Sequence, residues 1–200
     1  MKPSHSVMVQ NILSVYSQAT QDEILRGQQW YPLAHAIVVE WADHFGRSIA
    51  NVASVIAALS PQLPWERTLI TADDVLHGHA PSIGGVLHSN LRKAEQIRDD
   101  NLSNTLSVFK QGPKVACFSV NLAGDWNIVT VDTHAGQIAC GDVLSSPRLG
   151  RWREYVHFAD AYVDAAQRVS LQPATLQAIT WVTWKRLYPT IQKIRQRSRW

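Results

Sequence analysis

The sequence has little cysteine and no long apolar run. Only Cys117 and Cys140 occur in 200 residues, too few for a disulfide framework, a four-cysteine zinc site or a four-cysteine iron–sulfur cluster within the chain. The longest uncharged apolar stretch, residues 49–64, is broken by polar side chains and is too short to cross a bilayer. The N-terminus lacks the basic-then-apolar pattern of a signal peptide. We therefore expect a cytoplasmic protein with no membrane partner.

Charge is unevenly distributed along the chain. Residues 1–147 carry 9 Lys and Arg against 13 Asp and Glu, a net charge of −4, whereas residues 148–200 carry 10 against 3, a net charge of +7. Basic residues and tryptophans alternate near the C-terminus: Lys185, Arg186, Lys193, Arg195, Arg197 and Arg199, with Trp181, Trp184 and Trp200. This pattern suits a polyanion such as nucleic acid. A solvated helix face followed by a frayed basic tail would have the same composition.

The hydrophobic pattern predicts an all-α fold. Apolar residues recur at three- and four-residue steps, no long alternating run indicates strands, and 46% hydrophobic residues suffice for a core. Thr20 and Glu23 have the spacing of a capping box, and Pro32 is typical of a helix start. A buried helix must end near Ser60, because Pro61 disfavours helical geometry in the residue before it.

Between residues 102 and 122 the pattern predicts a helix, a very short hairpin and a second helix. The hairpin contains Lys110 and Gly112, and Pro113 is placed where the second helix begins. Backbone N–H groups at such a start point outward and can bind an anion such as a DNA phosphate. Asp132 is placed to cap a further helix that ends at Gly141.

Two motifs in this region resemble the helix-hairpin-helix DNA glycosylase superfamily. Gly112-Pro113-Lys114-Val115-Ala116 is followed, 18 residues after the lysine, by Val131-Asp132-Thr133-His134, and upstream lies Leu59-Ser60-Pro61-Gln62. These motifs are similar to that family's hairpin with its lysine, its Val-Asp-Thr-His and its Leu-Ser-x-Gln stretch. The resemblance covers residues 49 to 142. It departs from the family at Lys110, where the hairpin usually has a glycine, and at Gln137, near which an arginine is usual.

The resemblance implies an endonuclease-III-like fold without the iron–sulfur cluster. The expected fold is a two-lobed helical bundle with a helix-hairpin-helix DNA-binding element and the active site in the cleft between the lobes. Residues 1–200 would form one glycosylase-like fold. A core lobe would span 48–142, and a second lobe would combine 1–47 with 143–200.

The resemblance also implies the activity, a DNA glycosylase with β-elimination lyase activity that excises a damaged or modified base through a lysine Schiff base. Lys114 would be the nucleophile and Asp132 the catalytic carboxylate. Gln62 and Trp65 would fill the gap left by the flipped base, and Lys110 and Gly112 would contact a phosphate. The expected partner is double-stranded DNA with a flipped-out base, in the nucleoid or on phage DNA. We expect a monomer with no cofactor and no metal.

Each assignment has a structural alternative. Asp132 could be a plain helix cap, Lys114 a phosphate-binding or solvated lysine, and Trp65 a core anchor. The base pocket is unassigned, and aromatic walls could come from Trp30, Tyr31, His35, Trp181 and Trp184. His134 is expected to form a hydrogen bond behind Asp132.

Three other functions compete with the glycosylase. A non-catalytic helix-hairpin-helix DNA-binding protein would keep the scaffold without the chemistry, and an abasic-site lyase would lack glycosylase activity. His77, His79, His88 and His134 could alternatively serve a metallohydrolase, although a His-x-His step in a loop lacks the helical spacing of zinc-hydrolase motifs.

Overall fold

The structure, a computed structural model, is all-helical, as the periodicity predicts. It describes residues 3–100, 109 and 112–189, and that part of the chain contains helices and loops but no strand. Its helices are α1 (His5–Tyr16), α2 (Gln21–His44), α3 (Ile49–Leu59), α4 (Trp65–Leu76), α5 (His88–Asp100), α6 (Pro113–Leu122), α7 (Thr133–Cys140), α8 (Trp152–Arg168) and α9 (Pro173–Leu187). None of these helices is long and apolar enough to span a membrane.

Several helix ends lie where local signals predict them. α3 ends at Leu59, immediately before Ser60 and Pro61, and α6 begins with Pro113. α7 has Asp132 as its N-cap and Gly141 as its C-cap, and the φ of 67° at Gly141 lies in the left-handed region that favours glycine. The helix that carries the Val-Asp-Thr-His motif is therefore fixed at both ends by its own sequence.

The prediction that Pro32 begins a helix is wrong. α2 runs unbroken through Pro32 and begins at Gln21, where Thr20 and Glu23 form the predicted capping box. Glu23 N donates to Thr20 Oγ1 at 3.3 Å, and Thr20 N donates to Glu23 Oε2 at 2.9 Å. The reciprocal cap satisfies backbone donors and begins the helix at Gln21. Pro32 therefore lies inside the helix, where it has no N–H to donate to the preceding turn.

The chain divides into two compact units. Met1–Tyr31 and Trp126–Trp200 form one, here called the terminal unit, and Pro32–Asp125 form the other, the central unit. The expected lobe boundaries were 47/48 and 142/143, so both divisions fall earlier in the chain than predicted. The second difference arises because α7 packs against α1 and α9, which assigns the segment that begins at Trp126 to the terminal unit.

In the terminal unit, α1 packs against α7, α8 and α9. Its core includes the fully buried aromatic side chains of Tyr155 and Tyr162. α2 approaches α9 so closely that a Cβ on Gly27 would lie 2.5 Å from Ile179 Cα. Only glycine therefore permits this contact.

In the central unit, α3 packs against α4, α5 and α6. α3 is buried along its whole length after its first two residues, including its polar side chains. Asn51 Nδ2 donates to Ile97 O at 2.7 Å, and the hydroxyls of Ser54 and Ser119 are 2.6 Å apart. These bonds satisfy the buried polar groups and fix α5 and α6 on α3.

Candidate functional site

Asp132 caps α7 with one carboxylate oxygen and binds a tryptophan with the other. Its Oδ1 accepts a hydrogen bond from Ala135 N at 2.8 Å, and its Oδ2 accepts one from Trp181 Nε1 at 3.1 Å. The residue is half-buried. The predicted cap is confirmed, and a second donor from α9 fixes the orientation of the carboxylate plane.

Two buried tyrosines hold the backbone on either side of Asp132. The Tyr155 hydroxyl accepts from Val131 N at 2.7 Å and donates to Val129 O at 3.0 Å. The Tyr162 hydroxyl donates to Ala135 O at 3.3 Å. Burial raises the pKa of the Tyr162 phenol far above its usual value, so this group remains a neutral donor. The carboxylate therefore projects from a rigid backbone.

Trp181 is contacted by a cation and by a histidine ring. Lys185 Nζ lies 4.0 Å from the centroid of the Trp181 ring, a cation–π geometry. The His134 ring lies edge-to-face with it at 6.4 Å. The expected hydrogen bond from His134 is not supported at Nδ1, which is buried and has no partner among the described residues. His134 instead helps to position the indole that holds Asp132.

Lys114 lies in the first turn of α6. Pro113 is the first helical residue and Gly112 is the N-cap, with no side-chain cap. Ala116 N donates to Gly112 O at 3.0 Å, which begins the helix. Lys114 is half-buried and forms no salt bridge with a described residue. Lys110, the other predicted basic residue of the hairpin, lies outside the described residues.

The Pro61 to Pro64 loop contains an unusual backbone at the predicted gap-filling residue. Leu63 N donates to Ser60 O at 3.2 Å, and Gln62, at the third position of this turn, has a φ of 70°. Glycine or asparagine is usual there. Gln62 is exposed. The structure thus presents a long amide side chain from a strained turn, a combination that occurs at functional sites.

Trp65 lies next to the helix that carries Lys114. It begins α4, is half-buried, and its ring is edge-to-face with Phe118 of α6 at 6.5 Å. Phe118 is one helical turn after Lys114 and on the same face of α6. The structure therefore joins the Gln62 loop and the lysine helix within the central unit, while Asp132 belongs to the terminal unit.

Three other residues considered for a base pocket make contacts within their own units. Tyr31 is 3% exposed, and its hydroxyl donates to Gln177 Oε1 at 3.2 Å. Trp184 is 4% exposed. His35 Nδ1 lies 2.8 Å from Leu122 O. Trp181 differs from them because its indole donor is used on Asp132, a contact between residues 49 apart that no local signal in the sequence reveals.

The histidines give no support to a metallohydrolase. The described part of the chain contains no group of three or more His, Cys, Asp or Glu that could hold a metal ion. His77 and His79 stack with their ring centroids 5.6 Å apart, and His77 Nδ1 lies 3.0 Å from Asp73 O. Their contacts are those of a packed loop.

Comparison with known proteins assigns the chain to a family. No curated protein and no solved structure matches it. A family model matches residues 2–187, most of the chain. The chain therefore belongs to the family of unknown function DUF7178.

Proposed function

We propose that this protein is a DNA N-glycosylase with abasic-site lyase activity. The observation that carries the proposal is the Asp132 carboxylate, which is half-buried, held by two N–H donors and part of the Val-Asp-Thr-His motif. Lys114, at the start of α6 and without a salt-bridge partner among described residues, supplies the nucleophile.

Asp132 stabilises the charge that develops when the base departs. Cleavage of the N-glycosidic bond builds positive charge on the deoxyribose, and a fixed, partly desolvated carboxylate stabilises that charge without reorganising. A cap that used only Oδ1 would leave the carboxylate plane free to turn. The Trp181 donor to Oδ2 therefore supplies the pre-organisation that this role needs.

Lys114 forms the covalent intermediate. Its neutral amine attacks C1′, the C1′–N bond breaks, and the base leaves with the bonding electrons and takes up a proton. Opening of the sugar ring gives a Schiff base between Nζ and C1′. Loss of a proton from C2′ then breaks the C3′–O bond, which nicks the strand by β-elimination. On an abasic site, the amine condenses with the C1′ aldehyde and releases water, so the lyase step needs no target base.

The Gln62 loop supports base flipping. Extrusion of a nucleotide costs a few kcal/mol of lost stacking and pairing. The exposed Gln62 amide can form hydrogen bonds with the orphaned base, and Trp65 anchors the loop against Phe118 of the lysine helix. Trp65 thus acts by packing against the protein rather than as a wedge in the DNA, and the Gln62 amide is the group that contacts DNA.

Borohydride trapping on duplex DNA with one abasic site tests the lysine chemistry. Borohydride reduces the Schiff base to a stable amine, so a covalent protein–DNA complex appears on a denaturing gel. We expect the complex with the wild-type chain and its loss with Lys114→Gln. Lys93→Gln is the matched control, since Lys93 is a half-buried lysine of the same unit, over the Phe109 ring. Asp132→Asn tests the carboxylate separately.

The outcomes separate the candidate functions. A complex lost only with Lys114→Gln establishes a Schiff-base lyase, and a screen of modified bases then identifies the glycosylase substrate. Trapping that survives Lys114→Gln overturns the nucleophile assignment. Bound abasic DNA without any covalent complex overturns the lyase and leaves either a glycosylase that uses water as the nucleophile or the non-catalytic DNA-binding protein.

A further inference from the structure

The basic residues that follow residue 147 are not equivalent in the structure. Six lysines and arginines lie in the described segment from 148 to 189. Two of them are engaged inside the terminal unit: Lys185 lies over Trp181, and Arg186 pairs with Glu23. Arg148, Arg151 and Arg153 are exposed and form no salt bridge with a described residue.

These three arginines surround an exposed tryptophan at the start of α8. Arg151 is the N-cap, Trp152 and Arg153 are the first helical residues, and Arg148 precedes them in the loop. Trp152 is 42% exposed. We call Arg148, Arg151, Trp152 and Arg153 the α8 patch.

The position of the α8 patch is unfavourable for the stability of the helix. The N-terminus of a helix carries a partial positive charge, so cations there are destabilising and anions are favoured. α8 has no side-chain cap, and Glu154 is its one acidic residue in the first turn, offsetting one of the three charges. An external anion bound at this place would relieve that unfavourable interaction.

We infer that the α8 patch binds the phosphate backbone of duplex DNA; this choice of partner rests on the proposed function. Three cations spread over six residues match a row of phosphates better than a single anion. Uncapped N–H groups of α8 add donors, since phosphates bind at helix starts. Trp152, with its partly exposed ring, supplies an apolar surface against which a deoxyribose next to the bound phosphates can pack.

The α8 patch is connected to Asp132 through the core of its own unit. The Trp152 ring lies edge-to-face with Tyr155 at 5.9 Å, and the Tyr155 hydroxyl holds Val131 N, the residue before Asp132. DNA bound at the start of α8 is thereby held on the same rigid element that presents the carboxylate. The patch anchors the backbone and carries no sequence information, as expected for phosphate contacts.

Salt dependence of binding measures the number of phosphate contacts. We would titrate a fluorescent 20-base-pair duplex containing a stable abasic analogue with the full chain at several salt concentrations. Each phosphate contact contributes about −0.9 to the slope of log K against log salt. The triple variant Arg148→Gln/Arg151→Gln/Arg153→Gln should reduce the slope by about 2.7 and the affinity at 0.15 M salt by about 100-fold.

Arg168→Gln is the matched control for charge. Arg168 is exposed at the other end of α8, where a cation is favourable, and forms no salt bridge with a described residue. It should leave the slope unchanged. Trp152→Ala should weaken binding about tenfold with the slope retained, because it removes contact area without charge.

The stability of the free protein adds a readout that a structural role would not produce. Arg153→Glu should raise the melting temperature by about 1–3 °C, since an acid is favoured in the first turn, while it weakens DNA binding. A higher melting temperature together with weaker DNA binding supports the inference. A variant that weakens both stability and binding would assign the arginine to the fold.

The binding assay separates this inference from the proposed chemistry. If the triple variant binds DNA with an unchanged salt slope, the inference that the α8 patch contacts phosphates is overturned. The roles proposed for Lys114 and Asp132 are not affected by that result. If the triple variant has a reduced salt slope but the wild-type chain forms no covalent complex with abasic DNA, the lyase activity is overturned and the DNA contact of the α8 patch is supported. A wild-type chain that binds no duplex DNA overturns both.

Discussion

Trp181 donates its indole N–H to Asp132 at 3.1 Å and receives the Lys185 ammonium over its ring at 4.0 Å. A cation over the face of an indole draws electron density from the ring and strengthens its N–H as a donor. Trp181 therefore connects a positive charge to the candidate catalytic carboxylate without forming an ion pair. In this arrangement Trp181 is a positioning residue, because it acts through Asp132.

We expect Trp181→Phe to slow Schiff-base trapping on abasic DNA about 10- to 100-fold. The protonated Schiff base carries a positive charge that the Asp132 carboxylate would stabilise, and a hydrogen bond to a charged group is worth about 1.5–3 kcal/mol. Asp132→Asn should slow it more. The double variant should be no slower than Asp132→Asn alone, because both changes remove the same interaction. Additive losses in single-turnover trapping rates would show that Trp181 acts elsewhere.

Trp184→Phe is the control on the same helix. Trp184 is 4% exposed, and its Nε1 is buried with no hydrogen-bond partner among the described residues. The substitution removes similar ring volume without removing a bond, so trapping should be unchanged. In amide spectra, the indole signal lost with Trp181→Phe should shift in Asp132→Asn, whereas the signal of Trp184 should not.

Glu23 provides the clearest pH dependence of stability. Arg186 Nε donates to Glu23 Oε1 at 2.7 Å, and hydrogen bonding from Arg186 lowers the pKa of this carboxyl from 4.5 to about 2 against the opposing effect of burial. A lowered pKa stabilises the fold above about pH 4.5, and this contribution is lost as pH falls toward 2. Glu23→Gln should therefore destabilise the protein at pH 7 by about 1–3 kcal/mol.

Urea unfolding at pH 7 and pH 3 checks this prediction. The difference between wild type and Glu23→Gln should shrink at the lower pH, because part of the wild-type contribution is already lost there. Asp22→Asn is the control: Asp22 pairs with Arg26 at 2.9 Å, but both side chains are more than half exposed, so the expected loss is at most about 0.5 kcal/mol. Equal losses of unfolding free energy in Glu23→Gln and Asp22→Asn would contradict the stabilising role assigned to the Glu23–Arg186 pair.

Local signals predicted the parts of the site that depend on neighbouring residues. Asp132 and Gly141 delimit α7, and Pro113 begins α6, because caps act within one turn of the chain. The contact of Asp132 with Trp181 spans 49 residues and depends on how α7 packs against α9. No periodicity or spacing encodes such a contact.

The basic C-terminal quarter likewise shows that charge along the sequence does not predict which cations form long-range contacts. The sequence groups Lys185 and Arg186 with the basic tail as a nucleic-acid surface. In the structure Lys185 lies over the Trp181 ring and Arg186 pairs with Glu23. Arg195, Arg197 and Arg199 lie outside the described residues. Net charge predicts that a region is basic, whereas tertiary contacts decide which of its cations are paired within the fold.

Gly27 reverses an expectation from helix propensity. Within α2, propensity alone predicts that Gly27→Ala would stabilise the helix by about 1 kcal/mol. A Cβ there would lie 2.5 Å from Ile179 Cα and 2.6 Å from its N, backbone atoms that cannot rotate away. We expect a loss of about 2–4 kcal/mol in urea unfolding. Gly84→Ala, where a Cβ meets nothing within 4 Å, should stay within about 0.5 kcal/mol of wild type.

We expect Gln62 to lower the stability of the protein and to strengthen its binding to abasic DNA. Its φ of 70° costs a residue with a Cβ about 1 kcal/mol relative to glycine, so Gln62→Gly should stabilise the protein by about 0.5–1 kcal/mol. If the amide fills the gap beside a flipped nucleotide, the same variant should bind abasic duplex several-fold more weakly, with undamaged duplex unaffected. Ser170→Gly is the control, because Ser170 has a φ of 54° in the loop between α8 and α9. It should gain similar stability without a change in DNA binding. A stabilised Gln62→Gly protein with unchanged affinity for abasic duplex would assign the strained turn to the fold rather than to DNA.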